Sequence, residues 1–147
     1  MHFDSTHYIQ CVNPHCTAWH PVSKPQGARA NDMFVSSEVL TPEPFLLAGI
    51  REGDHLIYLI TDDLRHGDLV AFNRNGNILV GFLHVIRPDI VCLHSADGGI
   101  LFANLRMSSL QTVGRVVEVQ RDGARVDLRT QLRPIHATRE VALQGVA

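Results

Sequence analysis

A group of thiol and imidazole side chains stands near the start of the chain. His7, Cys11, Cys16 and His20 follow one another with three, four and three residues between them. Thiolate and imidazole are the preferred ligands of Zn²⁺, and a structural zinc site needs four of them. The spacing is looser than in a zinc knuckle, so the alternative is a β-hairpin arm with free cysteines and surface histidines. A structural zinc is therefore a hypothesis here, and no other cofactor is expected.

The side chains that could serve nucleophilic catalysis are few. Lys24 is the only lysine, and the other twelve basic residues are arginines. A Ser–Lys mechanism needs a neutral amine as its base, so Lys24 is the single candidate for that role. The hydroxyls of Ser36, Ser37 and Thr41 are interpreted as ordinary loop hydroxyls. Cys92 is predicted to be a small buried apolar residue in a strand.

The elements that would position these residues are predicted to be mainly β. Residues 1–32 form an N-terminal arm, 33–132 a β-domain of short, mostly antiparallel strands, and 133–147 a C-terminal tail. Asn75-Gly76 is a strong hairpin signal. Alternation from Arg125 to Leu132 predicts a half-exposed strand, and Ala137 to Leu143 are compatible with a short helix. No internal repeat is evident.

Residues 49–119 resemble the C-terminal domain shared by LexA, UmuD and many phage repressors. Gly49-Ile50-Arg51-Glu52-Gly53-Asp54 resembles the family's first turn into a strand, and His66-Gly67-Asp68 resembles its second. Leu93 to Asp97 and the segment from Val113 to Val119, which contains Gly114, resemble two later motifs. Glycine permits positive φ at a strand entry, and aspartate caps its own turn, which explains the repeated Gly-Asp pair. Ala48-Gly49 matches the family's cleavage dipeptide but lies inside the turn motif, so we interpret it as structural.

The resemblance implies a small β-barrel or sandwich that forms homodimers and, in active relatives, cleaves itself with a Ser–Lys dyad. Val80-Gly81-Phe82-Leu83 stands in place of the motif that holds the lysine, so Gly81 occupies the lysine position. The serine position falls on Val39 when Ser37-Glu38-Val39-Leu40 is matched to the family motif, and on Pro44 when residues are counted back without a gap. None of these residues can supply the chemistry, so the chain is expected to be an inactive pseudo-peptidase.

Composition limits the partners. The net charge is −2, without the basic excess typical of nucleic-acid binding, so direct DNA binding is not expected. Asp62, Asp63 and Asp68 are interpreted as solvated turn residues, and the arginines near the C-terminus as a solvated strand face (Arg121, Arg125, Arg129, Arg133 and Arg139). No apolar run approaches the roughly 20 residues of a membrane span. A cytoplasmic location is expected, since there is no signal-peptide pattern and the number of cysteines is odd.

Taken together, these features favour a regulatory module that dimerises and binds a protein partner through its arm. Relatives suggest phage repression, the DNA-damage response or an accessory role to an error-prone polymerase, so the partner would be a regulatory protein, a polymerase or a repressor. Two alternatives stay open. One is an active self-cleaving peptidase that uses Ser36 or Ser37. The other is a small β-barrel that binds nucleic acid through its arginine-rich C-terminal face.

Overall fold

The computed structural model describes the chain at residues 6–10 and 19–23, by their backbone, and at residues 24–136. Two short 3-10 helices lie at Glu43–Ala48 and Met107–Ser109. The strands in these ranges are β1 (Thr6–Gln10), β2 (Trp19–Ser23), β3 (Phe34–Glu38), β4 (His55–Leu59), β5 (Leu69–Arg74), β6 (Asn77–Arg87), β7 (Ile90–His94), β8 (Ile100–Arg106), β9 (Gln111–Arg121) and β10 (Ala124–Arg125).

Most strands belong to one sheet, here called the main sheet. Its order is β3-β4-β9-β5-β6-β7-β8, with β10 paired to β9, and every pair is antiparallel. The prediction of a mainly β chain with antiparallel strands is confirmed. The predicted hairpin turn is present as well, because Asn75 (φ 53°) and Gly76 (φ 86°) connect β5 to β6.

The main sheet buries side chains on both of its faces. Alternation along β5 and β6 sends successive residues to opposite sides, so two separate cores form. The first core contains Val39, Phe45, Ala48, Ile50, Leu56, Tyr58, Leu69, Ala71, Val116 and Val119. The second core contains Val70, Phe72, Leu79, Leu83, Val91, Leu93 and Leu105. Strands buried on both faces are typical of the middle of a sheet.

Strand β9 holds the main sheet together, because it pairs with both β4 and β5. Gly114 allows this arrangement. A Cβ atom at Gly114 would lie 2.0 Å from the carbonyl oxygen of Leu59, and its φ is +155°. Only a residue without a side chain fits against that carbonyl, which gives the glycine of the last family-like motif a structural reason.

The prediction of a strand from Arg125 to Leu132 is wrong. Only Ala124–Arg125 pairs as a strand, although Val126, Leu128 and Leu132 do pack against the first core. The backbone after Arg125 bonds to scattered partners, since Val126 N–H donates to Val119 and Arg129 N–H donates to Ala48. Alternating side chains thus cover a core without a ladder of hydrogen bonds.

The two ends of the chain are described in part. β1 and β2 pair antiparallel, as in the β-hairpin arm that was one of the two alternatives for this segment. The helix considered for Ala137 to Leu143 lies outside the described residues. Among the described residues, no helix is long and apolar enough to cross a membrane.

Candidate functional site

Gly81, at the lysine position of the resemblance, has no room for a side chain. It lies on β6 opposite Val70 and faces the second core. A Cβ atom there would lie 2.7 Å from Leu93 Cβ and 3.2 Å from the carbonyl oxygen of His94. Carbon atoms pack at about 3.5–4.0 Å. Any larger residue, lysine included, would have to displace β7.

Val39, the first candidate for the serine position, lies on the other side of the main sheet. Its side chain is 5% exposed and belongs to the first core. Ile78 and Val80 on β6 face it across a groove. Gly81 alternates to the opposite face, so the structure does not bring Val39 and Gly81 together.

Pro44, the second candidate, is the second residue of the 3-10 helix at Glu43–Ala48. Its carbonyl oxygen accepts a hydrogen bond of 2.7 Å from the Ala96 N–H. The neighbouring Phe45 packs edge to face against Phe82, at 6.4 Å between ring centroids. The 3-10 helix therefore covers the face of β6 that carries Phe82, whereas Gly81 faces the opposite side of the main sheet.

The groove beside Val39 has a volume of about 250 Å³ and is mainly apolar. Among the residues whose side chains are described, the groove contains no lysine or histidine, and its only ionisable group is Glu38. Its walls are formed by Ser37, Glu38, Val39, Leu40, Thr41, Phe45, Leu56, Ile78 and Val80. Lys24 is exposed and does not line it. Within residues 24–136, a nucleophile in this groove would have no amine or imidazole to take its proton.

Ser36 and Ser37 are buried strand residues of β3 and not loop residues as predicted, and neither contacts a base in the described part of the chain. Ser37 Oγ lies 2.8 Å from the hydroxyl of Tyr58. A phenol hydroxyl keeps its own proton while it donates or accepts a hydrogen bond, so this contact does not supply a base. Ser36 is 1% exposed, and its Oγ has no hydrogen-bond partner among the described residues. Both side chains are buried in the protein interior, and neither belongs to a catalytic pair among the described residues.

The two Gly-Asp motifs build turns of the same construction, each spelled Arg-x-Gly-Asp. In the first, Asp54 N–H donates to the Arg51 carbonyl, and the Asp54 carboxylate accepts the Arg51 N–H at 2.8 Å. In the second, Asp68 and Arg65 make the same two contacts, again with 2.8 Å to the carboxylate. Positive φ angles of 87° and 93° explain the glycines, Gly53 and Gly67.

The likeness extends beyond the turns themselves. Gly53 N–H donates to the Val39 carbonyl, and Val39 N–H donates back to the Asp54 carbonyl. Gly67 and Asp68 are joined to Leu83 in the same way. Both following strands then pair with β9 through a bulge three residues after the aspartate. A structural repeat is thus present where none was evident in the sequence.

Each turn aspartate is also held by a distant arginine. Arg121 donates to both carboxylate oxygens of Asp54, at 2.7 and 2.8 Å, and to the Gly49 carbonyl. Arg133 donates to both oxygens of Asp68, at 3.2 and 2.7 Å, and also reaches Asp63.

These ion pairs change the pKa values of the arginines. Hydrogen bonds to Asp54 raise the pKa of Arg121, and hydrogen bonds to Asp68 and then Asp63 raise that of Arg133. The interpretation of these two arginines as part of a solvated face was therefore wrong, because each is engaged in a bidentate pair.

A third arginine, Arg115, ties the C-terminal segment to β9. Its guanidinium donates to the carbonyl oxygens of Arg133, Pro134 and Ile135 at 2.8 to 3.0 Å. The side chain is buried, and this burial lowers the pKa of Arg115 from its ordinary value. Residues 133–136 are therefore attached to the main sheet by their backbone carbonyls.

A cavity of about 610 Å³ lies between residues 26–27, β9 and residues 125–136. The buried carboxylate of Glu118 stands at its wall. One oxygen accepts from the Gln120 side chain at 2.8 Å, and the other accepts from the Gln26 N–H at 3.2 Å. One oxygen therefore attaches the segment before β3 and the other binds a neighbour on β9, so we assign Glu118 a structural role.

The predicted Cys/His cluster falls mostly outside the described residues. Cys11 and Cys16 lie outside them, while His7 and His20 lie on β1 and β2, where only the backbone is described. The zinc hypothesis for these four residues stays a prediction. Comparison with protein-family models and with curated proteins found no match.

Proposed function

We propose that this chain is a non-catalytic regulatory module of the LexA/UmuD type, which acts by forming homodimers and by binding a protein partner. The proposal rests mainly on the two positions that the resemblance matches to the family's lysine and serine. Leu93 leaves no room for a side chain at Gly81, and Val39 is a core residue on the opposite face of the main sheet. Neither position can hold a member of the Ser–Lys dyad, whereas both Arg-x-Gly-Asp turns are present.

The serine alternatives do not restore an active site. Ser36 and Ser37 have no amine, imidazole or carboxylate within hydrogen-bond distance in the described part of the chain. General-base catalysis requires the base within hydrogen-bond reach of the nucleophile. A binding role is therefore favoured over self-cleavage.

A protein partner is favoured over nucleic acid because of how the charges are arranged. The chain is slightly acidic overall, with a net charge of −2. Arg121 and Arg133 are engaged by aspartates, which leaves fewer cations for phosphate contacts. Nucleic-acid affinity depends on the number of phosphates that free lysines and arginines neutralise.

We further propose a cytoplasmic location and a role beside a repressor or an error-prone polymerase, as the resemblance implies. Cys92 is a free thiol. Free thiols are retained in reducing compartments, which agrees with that location. Sedimentation equilibrium of the full chain tests the dimer, and a monomer at all concentrations would contradict it.

The absence of catalysis is tested by intact mass. The purified full chain is incubated at alkaline pH, with and without an activated recombinase filament, and sampled over time. We expect the mass to stay unchanged. Scission after Ala48, or at a specific bond in residues 1–40, would contradict the proposal if it disappeared in the Ser36→Ala/Ser37→Ala variant. Scission that persists in that variant would identify a contaminating protease.

A further inference from the structure

Three imidazoles and one thiol lie together where the second Arg-x-Gly-Asp turn meets β6 and β7. His84 pairs across the strands with Cys92, and His94 follows two residues later, so these three alternate to the same face of the main sheet. His66 comes from the turn itself. The ring centroids of His66 and His84 are 4.6 Å apart, and those of His84 and His94 are 4.8 Å apart.

The distances between these groups match those of ligands on a common metal ion. Cys92 Sγ lies 3.3 Å from His94 Nε2. For zinc bonds of about 2.3 Å to sulfur and 2.0 Å to nitrogen, two tetrahedral ligand atoms are about 3.5 Å apart. By the same geometry, the centroids of two imidazoles on one ion are about 5 Å apart. Three of the six pairwise separations, those of Cys92–His94, His84–His94 and His66–His84, are therefore close to the values for ligands of one ion.

Metal binding would have to change the orientation of the histidine rings. The rings of His84 and His94 are stacked, with an interplanar angle of 9°, and with the side chains oriented as they are, residues 24–136 contain no group of three His, Cys, Asp or Glu that could hold a metal ion. Convergence requires rotation about the Cβ–Cγ bond, a torsion whose preferences are broad in histidine. A cavity of about 240 Å³, lined by His66, His84 and His94, provides the space.

We propose that His66, His84, Cys92 and His94 form a binding site for a thiophilic divalent metal ion, and that Zn²⁺ is the ion that best suits one thiolate and three imidazoles. On binding, the Cys92 thiol releases its proton to solvent and the thiolate forms the bond to the metal. The bound ion would link the turn, β6 and β7.

His66 is the weakest of the four ligands. Its Nδ1 accepts a hydrogen bond of 3.2 Å from the Val85 N–H. A neutral imidazole has only one acceptor nitrogen, so His66 must give up this bond before its Nε2 can bind a metal. Loss of His66 should therefore weaken binding less than loss of His84 or His94.

The test uses the full chain without a polyhistidine tag, after removal of metal by a chelator under reducing conditions. Co²⁺ is titrated in as the probe, because a thiolate ligand produces sulfur-to-cobalt charge transfer in the near ultraviolet. A competing chelator then gives the Zn²⁺ affinity. The variant Cys11→Ser/Cys16→Ser removes the thiols of the N-terminal cluster, so any remaining thiolate signal comes from Cys92.

In that background we expect one equivalent of Co²⁺ with the thiolate signal, and loss of the signal in Cys92→Ser. His84→Gln should lower Zn²⁺ affinity by more than about 100-fold, since disturbing a mere supporting partner of a metal ligand costs about 10–100-fold. His136→Gln, on a histidine bonded to Asp32, should leave the affinity unchanged.

The proposal is overturned if the Cys11→Ser/Cys16→Ser variant shows no thiolate signal, or if His84→Gln binds Zn²⁺ as the parent does. Circular dichroism and thermal unfolding of the metal-free variants show whether they fold. If Cys92→Ser fails to fold, the His84→Gln affinity decides the matter, because that half-exposed side chain can be replaced without opening the core.

Discussion

The Asp54–Arg121 ion pair should be the most sensitive point in the fold that lies away from the apolar cores. The Asp54 side chain is 1% exposed and accepts hydrogen bonds from Arg51 N–H, Arg121 Nε and Arg121 Nη2. Asp54→Ala removes all three hydrogen bonds. It leaves the Arg51 amide and the Arg121 guanidinium without their partner at the entry to β4.

The expected loss follows from these contacts. A hydrogen bond to a charged group contributes about 1.5–3 kcal/mol, and removing one partner of a buried pair costs about 3–5 kcal/mol. The Arg121 side chain is 32% exposed and can regain water, which offsets part of the loss. We therefore expect Asp54→Ala to lower the free energy of unfolding by about 3 kcal/mol.

The second turn supplies a matched comparison. Asp68→Ala removes the same turn contacts, but Arg133 keeps the Asp63 carboxylate at 3.2 Å and the Asp63 carbonyl at 2.8 Å. Arg121 has no second carboxylate among its hydrogen-bond acceptors, which are Asp54 and the Gly49 carbonyl. Asp68→Ala should therefore destabilise the protein less than Asp54→Ala does.

Urea unfolding followed by circular dichroism measures both variants, and Arg121→Met completes a double-mutant cycle with Asp54→Ala. We expect a coupling energy of about 1.5–3 kcal/mol between Asp54 and Arg121. A coupling below about 0.5 kcal/mol, the usual error of additivity, would refute this account of the pair. An Asp68→Ala variant as unstable as Asp54→Ala would refute the role given to Asp63.

Three further outcomes are expected. Gly81→Ala should cost about 1–3 kcal/mol in urea unfolding, because its Cβ would overlap Leu93, and a cost near zero would show that β7 yields freely. Burial acts to raise the pKa of Asp32, but hydrogen bonds from the Arg29 N–H and His136 hold it below its ordinary value. Its stabilisation is thus present above the unfolded pKa of about 3.9 and lost as pH falls through the lower folded pKa. Asp32→Asn should be destabilising at neutral pH and equal to the parent in strong acid, and a pH-independent difference would contradict this. Arg115→Met should speed tryptic cleavage after Arg129, because three carbonyls of the segment that follows lose their donor, and an unchanged digestion rate would contradict the attachment of this segment.

Local chemistry was sufficient to predict the class of the fold and several of its turns. Asn75-Gly76 adopts positive φ at both residues, and Gly53 and Gly67 do so at their strand entries. These conformations depend on the residue and its immediate neighbours, so they are visible in the sequence. The false strand after Arg125 has the opposite cause. Alternation reports which side chains are covered, but a strand also needs a neighbour with free backbone groups.

The candidate site depended on pairing rather than on local pattern. Matching motifs along the chain put Gly81 at one catalytic position and Val39 at the other. The register of β5 with β6 sends Gly81 to the second core, while Val39 belongs to the first. A shift of one residue reverses the face of every side chain on a strand, so a motif match alone does not determine which residues meet.

Contacts between distant residues were decided by the tertiary structure alone. Arg121 is 67 residues from Asp54, and Arg133 is 65 residues from Asp68. Cys92 and His94 are close in sequence, but His66 and His84 join them only because β6 and β7 pair beside the second turn. The sequence determined which residues could turn, cap or bind, since those properties belong to single side chains. Their partners were selected by the order and register of the strands, which arise from packing of the whole chain.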